Sequence, residues 1–162
     1  MPRRLWLVLL ASLCLPLSAG AQVLNVTQLG HLDSYTEYSD VWGYSAPGGV
    51  ELAIIGTTFG TSFVNVTNPA TPVEVAFIPG PSSIWRDIKT YRGYAYISNE
   101  TGDGLQVVSM LNPLAPTLVK SDSTVFSTCH NVFVDSTGTT PILYCAGTDV
   151  GMPLLSLANP AN

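Results

Sequence analysis

Apolar residues in this chain come in short runs closed off by Gly, Pro, Asn or Asp, and no segment holds an apolar stripe at helical spacing. Three ten-residue segments superpose without gaps: Gly60-Thr-Ser-Phe-Val-Asn-Val-Thr-Asn-Pro69, Gly104-Leu-Gln-Val-Val-Ser-Met-Leu-Asn-Pro113 and Gly151-Met-Pro-Leu-Leu-Ser-Leu-Ala-Asn-Pro160. Their starts lie 44 and 47 residues apart. The agreement continues upstream, where Asp40-Val41-Trp42, Asp87-Ile88-Lys89 and Asn131-Val132-Phe133 match, as do Ala53–Gly56, Ala95–Ser98 and Leu143–Ala146. Each unit therefore holds three short strand-type runs, an Asn-Pro turn and, in the first two units, a fourth run such as Val73–Ile78.

The turns have a local cause. Proline presets its own φ and pushes the residue before it out of the helical region, while an asparagine side chain bonds to backbone just downstream. Arg92-Gly93 and Ser136-Thr137-Gly138 lie between paired runs and predict hairpins. Four strands in about 45 residues is the size of one β-propeller blade. The expected fold is all-β: an incomplete β-propeller of three four-stranded blades, over about residues 38–82, 83–127 and 128–162. A ring needs four to eight blades, so the chain reads as the front of a longer protein, with residues 22–32 as an outer strand of the closing blade. Alone, it is expected to be loosely folded and to be cut by protease first near residues 22–36 and after Val150.

The N-terminus changes the picture of where this fold resides. Arg3 and Arg4 precede an apolar run from Leu5 to Leu17, then Ser18-Ala19-Gly20-Ala21. A positive start, a short apolar middle and small residues at the end make residues 1–21 a secretory signal peptide, and the run is too short to span a membrane as a helix. Leu13 is too bulky for the position before a lipidated cysteine, so Cys14 reads as a discarded part of the leader. The mature chain is expected to be secreted, extracellular or at the cell surface. The leader takes two of the six Lys/Arg with it, leaving four against eleven Asp/Glu, a net of −7. That balance argues against nucleic acid or anionic membrane as partners.

The motifs Tyr38-Ser-Asp-Val-Trp-Gly-Tyr44, Trp85-Arg-Asp-Ile-Lys89, Cys129-His-Asn-Val-Phe-Val-Asp135 and the three Asn-Pro turns resemble the LVIVD-repeat propellers, and within them the bacterial choice-of-anchor B family. The resemblance covers nearly all of the mature chain. It implies a secreted or surface-displayed propeller and assigns no reaction or ligand. Pro153, inside the third strand of the third unit, departs from the pattern by removing a ladder amide.

Candidate chemistry concentrates at the matching strand starts. Asp40, Asp87 and Asn131 offer oxygen ligands that would suit Ca²⁺ if they converged. The structural alternative is that each caps its strand on backbone of the neighbouring unit. Tyr38, Trp42, Trp85 and His130 are expected near one face as a surface for an extracellular protein, peptide or carbohydrate, unless the tryptophans simply pack between units. Cys129 and Cys145 either pair as a disulfide or stay as two core thiols. Asn25, Asn65 and Asn99 each open an Asn-x-Thr sequon. No nucleophile elbow, phosphate loop or His-Glu-x-x-His helix occurs. The sequence therefore points to a non-catalytic binding or scaffold protein. Its alternative is a metal-assisted, hydrolase-like enzyme that uses the channel carboxylates.

Export from a secreting host should leave a protein whose N-terminal sequencing begins at Gln22. A product beginning at Met1, or one lipidated at Cys14, would reject the leader assignment.

Overall fold

A computed structural model describes residues 25–161. The leader at residues 1–21 lies outside the described residues, as does the start of the mature chain. Eleven strands form three antiparallel sheets: β1 (Tyr38–Ser45), β2 (Glu51–Thr57), β3 (Gly60–Asn65) and β4 (Val73–Pro79) in the first; β5 (Ile88–Tyr91), β6 (Tyr94–Ile97), β7 (Leu105–Ser109) and β8 (Thr117–Asp122) in the second; β9 (Asn131–Asp135), β10 (Ile142–Ala146) and β11 (Leu154–Ser156) in the third. Strands follow one another in each sheet in chain order, and no sheet closes on itself. The described residues contain no helix, so none of them forms a helix able to cross a membrane.

The three sheets fall within the three sequence units. The repeat reaches into fine detail, since β3 against β4 and β7 against β8 both bulge at the same place, between Phe63/Val64 and between Val107/Val108. The Asn-Pro turns work as their chemistry requires. Asn68 Oδ1 accepts the Ala70 amide at 3.2 Å and Asn112 Oδ1 accepts the Leu114 amide at 3.2 Å. Arg92 and Gly93 both take positive φ, at 47° and 80°, and join β5 to β6 in a two-residue hairpin.

The glycine that opens the superposed segment in the first two units has a steric cause. A Cβ at Gly60 would lie 2.3 Å from the Ile78 carbonyl oxygen, and one at Gly104 would lie 2.1 Å from that of Asp122. The fourth strand passes too close for any side chain.

Two apolar clusters lie between sheets rather than within them. The first joins Leu52, Ile54, Phe63 and Ile78 of the first sheet to Ile88, Ala95, Ile97 and Val108 of the second. The second joins Tyr96, Leu105 and Val107 to Val132, Leu143, Cys145 and Leu157. First strands neighbour first strands, and β4 neighbours β8. The segment expected as an outer strand at 22–32 carries no strand over its described part. Residues 25–37 are irregular, and Gly30 lies against Pro69 and Pro72 of the first unit.

Because Ile54 is fully buried between two sheets, Ile54→Ala is expected to cost about 3 kcal/mol in denaturant unfolding. Val73→Ala, at a side chain that is 58% exposed, should stay within about 0.5 kcal/mol. Equal effects at the two positions would contradict a core placed between sheets.

Candidate functional site

The starts of the first strands meet along one line. The Ile88 amide of the second unit donates to Asp40 Oδ2 of the first at 2.9 Å, and the Val132 amide of the third donates to Asp87 Oδ2 of the second at 2.6 Å. One position in each unit thus accepts the amide that follows the same position in the next unit. Asn131 continues the line, donating its Nδ2 to Asp87 Oδ2 at 3.3 Å. Lys89 closes the group. Its Nζ contacts Asp87 Oδ1 at 2.5 Å and sits 4.5 Å from the centroid of the Trp42 ring. Trp42 in turn donates its indole N–H to Thr90 Oγ1 at 3.0 Å.

Two opposite shifts mark the two carboxyls. Burial and the nearby Asp87 push Asp40 up against the pull of the Ile88 amide. Burial also pushes Asp87 up, but the Lys89 ammonium and the Val132 amide outweigh it and hold Asp87 below the usual carboxylate range. As an oxygen set for Ca²⁺ these residues are already engaged: both Asp87 oxygens and one Asp40 oxygen serve N–H groups, and Asn131 turns its Nδ2 toward Asp87. Among the described residues, no three His, Cys, Asp or Glu side chains gather as metal ligands.

Arg86, just before Asp87, makes a second strap between units. It is fully buried, donates its Nε to the Thr57 carbonyl at 2.9 Å, and reaches the carbonyls of Thr58 and Pro81 with Nη2. Burial lowers its pKa.

The four residues expected as one ligand face are split into three places. Trp85 and His130 stay together, their rings stacked 5.0 Å apart and 6° from parallel, with the indole N–H donating to the His130 carbonyl at 2.9 Å. Glu100, which sequence reasoning did not select, pairs with His130 Nδ1. Trp42 is instead lodged between the first two sheets. Tyr38 belongs to a separate group in which Tyr35 stands edge-on to it and stacks on Phe77 at 5.5 Å. Burial, then the hydrogen bond to Glu74, raises the Tyr35 hydroxyl to about 12. Tyr35 and Phe77 also line a cavity of about 250 Å³ with Thr36, Glu37, Thr58 and Phe59. Nothing in the pattern of either segment marks this meeting, because Tyr35 and Phe77 lie 42 residues apart in the chain.

Cys129 and Cys145 are both buried and free. Cys129 lies ahead of β9 rather than on it, so the two cysteines are not facing residues of one hairpin, and Cys145 pairs with Val132. In this structure the two stand as neighbouring core thiols. A hydrogen bond between the Cys145 thiol and the Cys129 sulfur raises Cys145 and lowers Cys129. Of the sequons, Asn99 is fully buried and spends its Oδ1 on the Thr101 amide, and Asn65 does the same for Thr67. Asp122 and Asp135 repeat this turn with Thr124 and Thr137. The Asn/Asp-x-Thr pattern is a turn device here.

Among known protein families, curated proteins and solved structures, the chain finds no match.

Asp87→Ala would leave the Val132 amide and Lys89 without their acceptor in a buried place, and is expected to cost about 3 kcal/mol. Since folding lowers the Asp87 pKa, its contribution is complete above the ordinary carboxylate value of about 4 and is lost as pH falls through the folded value. Asp40, raised on folding, works the other way, and its contribution is lost as pH rises through its folded value. Urea midpoints measured from pH 7 to pH 2 should therefore fall less steeply on the acid side for Asp87→Asn than for the native chain. An unchanged acid limb would remove Asp87 from this role.

Proposed function

We propose that the chain is an extracellular, non-catalytic binding or scaffold segment, built as three units of a β-propeller of the LVIVD-repeat, choice-of-anchor B kind. One observation carries the reading: in the first and second units a carboxylate at the head of the first strand accepts the amide at the matching place in the next unit, Ile88 and Val132. That is the arrangement expected of like sheets set side by side around an axis, with their first strands innermost. The shared bulge and the glycine under each fourth strand support the same repeat.

The chemistry at the line of first strands favours structure over turnover. A general base needs a carboxylate within reach of a substrate proton. The Asp87 oxygens are held by an ammonium and two amides, and Asp40 is held by Ile88. What faces solvent is the stacked pair Trp85 and His130 with Glu100. An aromatic face beside a carboxylate suits a protein, peptide or carbohydrate partner.

Two measurements test this reading. The secreted protein, with or without added Ca²⁺, should hydrolyse chromogenic ester, phosphoester and glycoside substrates no faster than its Asp40→Asn/Asp87→Asn variant. With Trp42→Phe leaving Trp85 as the sole tryptophan after the leader, emission is expected to shift on titration with a Lys-rich peptide or a neutral oligosaccharide, and Glu100→Gln should weaken the response to the peptide roughly tenfold. Turnover abolished by the double Asp variant would overturn the non-catalytic reading, and a silent Trp85 with every probe would remove the proposed face.

A further inference from the structure

The hairpin between β2 and β3 departs from the turn chemistry that its counterpart between β5 and β6 obeys. Arg92-Gly93 takes the positive φ of a tight turn, whereas the tip at Thr58-Phe59 carries a phenylalanine that is 67% exposed. A turn does not call for a ring there, and most of the residue stays in water. The tip is nevertheless held firmly. The Gly80 amide donates to the Phe59 carbonyl at 3.0 Å, the Ser83 amide to the Thr58 carbonyl at 2.9 Å and Arg86 Nε to the Thr57 carbonyl at 2.9 Å. Three consecutive carbonyls are thus engaged, and the exposed ring is what the tip has left to offer.

Opposite the tip runs the segment 34–37. Thr58 Oγ1 donates to Glu37 Oε2 at 3.0 Å and joins the two walls. Tyr35 is fixed by its stacking on Phe77, by donating its hydroxyl to Glu74, and by donating its amide to the Tyr38 hydroxyl at 2.9 Å. The cavity of about 250 Å³ between these walls is bounded by Tyr35, Phe59, Phe77 and Glu37. No Lys, Arg or His lines it, and among the described residues none forms a salt bridge with Glu37 or Glu74. Arg86, which binds the hairpin carbonyls, is fully buried and is not part of the lining.

Three aromatic residues and an unpaired carboxylate specify the charge of an occupant, because a ring face attracts a cation. The state of the carbonyls specifies its kind. A primary ammonium brings three N–H donors that each need an acceptor, and the hairpin carbonyls already serve other N–H groups. A quaternary ammonium has no N–H and spreads its charge over methyl groups that suit aromatic walls. The cavity is smaller than the roughly 300–1,000 Å³ of a site for a drug-sized ligand, which suits a compact head group.

We infer that the cavity between Tyr35, Phe59 and Phe77 binds a small quaternary ammonium compound, with Glu37 as its counter-charge. All the lining residues belong to the first unit or to the segment just ahead of it. The site is separate from the Trp85, His130 and Glu100 group, and it stands or falls apart from the proposed arrangement of units.

The test uses the full chain purified after secretion and choline chloride at constant ionic strength, read by saturation transfer from the protein to the choline methyl protons. Half-saturation is expected in roughly the millimolar range. The neutral alcohol in which carbon replaces the choline nitrogen should need about tenfold more. Phe59→Leu keeps an apolar side chain at an exposed position and removes the ring. It and Glu37→Gln should each weaken choline binding roughly tenfold, while Glu100→Gln should leave it unchanged. Equal half-saturation for choline and the neutral alcohol would reveal an apolar cavity with no preference for charge, and would overturn the inference. Choline binding that is absent, that either Phe59→Leu or Glu37→Gln leaves unchanged, or that is lost with Glu100→Gln would overturn it as well, the last by placing the ligand at Trp85.

Discussion

A carboxylate taken out of water needs donors, and in this protein a backbone amide of the next sheet is among them. Asp87 is nearly buried, and it holds the Val132 amide, the Asn131 carboxamide and the Lys89 ammonium at once. Its own strand serves only Oδ1, through Lys89 and the Ile88 amide, and Oδ2 is met by the third unit. The position is therefore tolerable only if the third sheet stands where it does relative to the second, and the same holds for Asp40 and the second sheet. The remaining interunit contacts depend on this spacing. Trp42 can reach Thr90, and Lys89 can lie over Trp42, only at that separation.

The apolar clusters follow from the same constraint. The second sheet buries both faces, one against each neighbour, so the core is two layers between three sheets rather than a centre inside any one of them. Arg86 shows how tightly the layers are sewn: a fully buried guanidinium held by three carbonyls from the preceding unit, with no salt bridge to a carboxylate among the described residues. Backbone oxygens supply the compensation that an acidic side chain would otherwise give.

That use of charge shapes what the surface has left for function. The acidic groups at the strand heads are committed to amides, while the accessible chemistry lies in the Trp85, His130 and Glu100 group and in the separate Tyr35, Tyr38 and Phe77 group. Both combine an aromatic ring with a nearby carboxylate, Glu100 in one and Glu74 in the other. One group spans the second and third units, and the other joins Tyr35, just ahead of the first unit, to Tyr38, Phe77 and Glu74 of that unit.

Read alone, the sequence determined the all-β class, the three groups of strands and the turns. These are local matters: Asn-Pro forbids a helix and offers its own acceptor, Arg92-Gly93 permits the positive φ of a tight hairpin, and short apolar runs bounded by such turns pair with the nearest run. It also brought out Asp40, Asp87 and Asn131 as one recurring position. Tertiary structure alone decided what that position does, because its partners lie 45 and 48 residues downstream and a carboxylate looks the same in sequence whether it meets a cation or an amide. Distance in the chain likewise hid the split of the aromatic residues, the pairing of Glu100 with His130 and the placing of Cys129 ahead of its strand. The repeating glycine had its place in the sequence, but the carbonyl that requires it belongs to a fourth strand some eighteen residues later, and only folding brings that strand within 2.3 Å of where a side chain would have been.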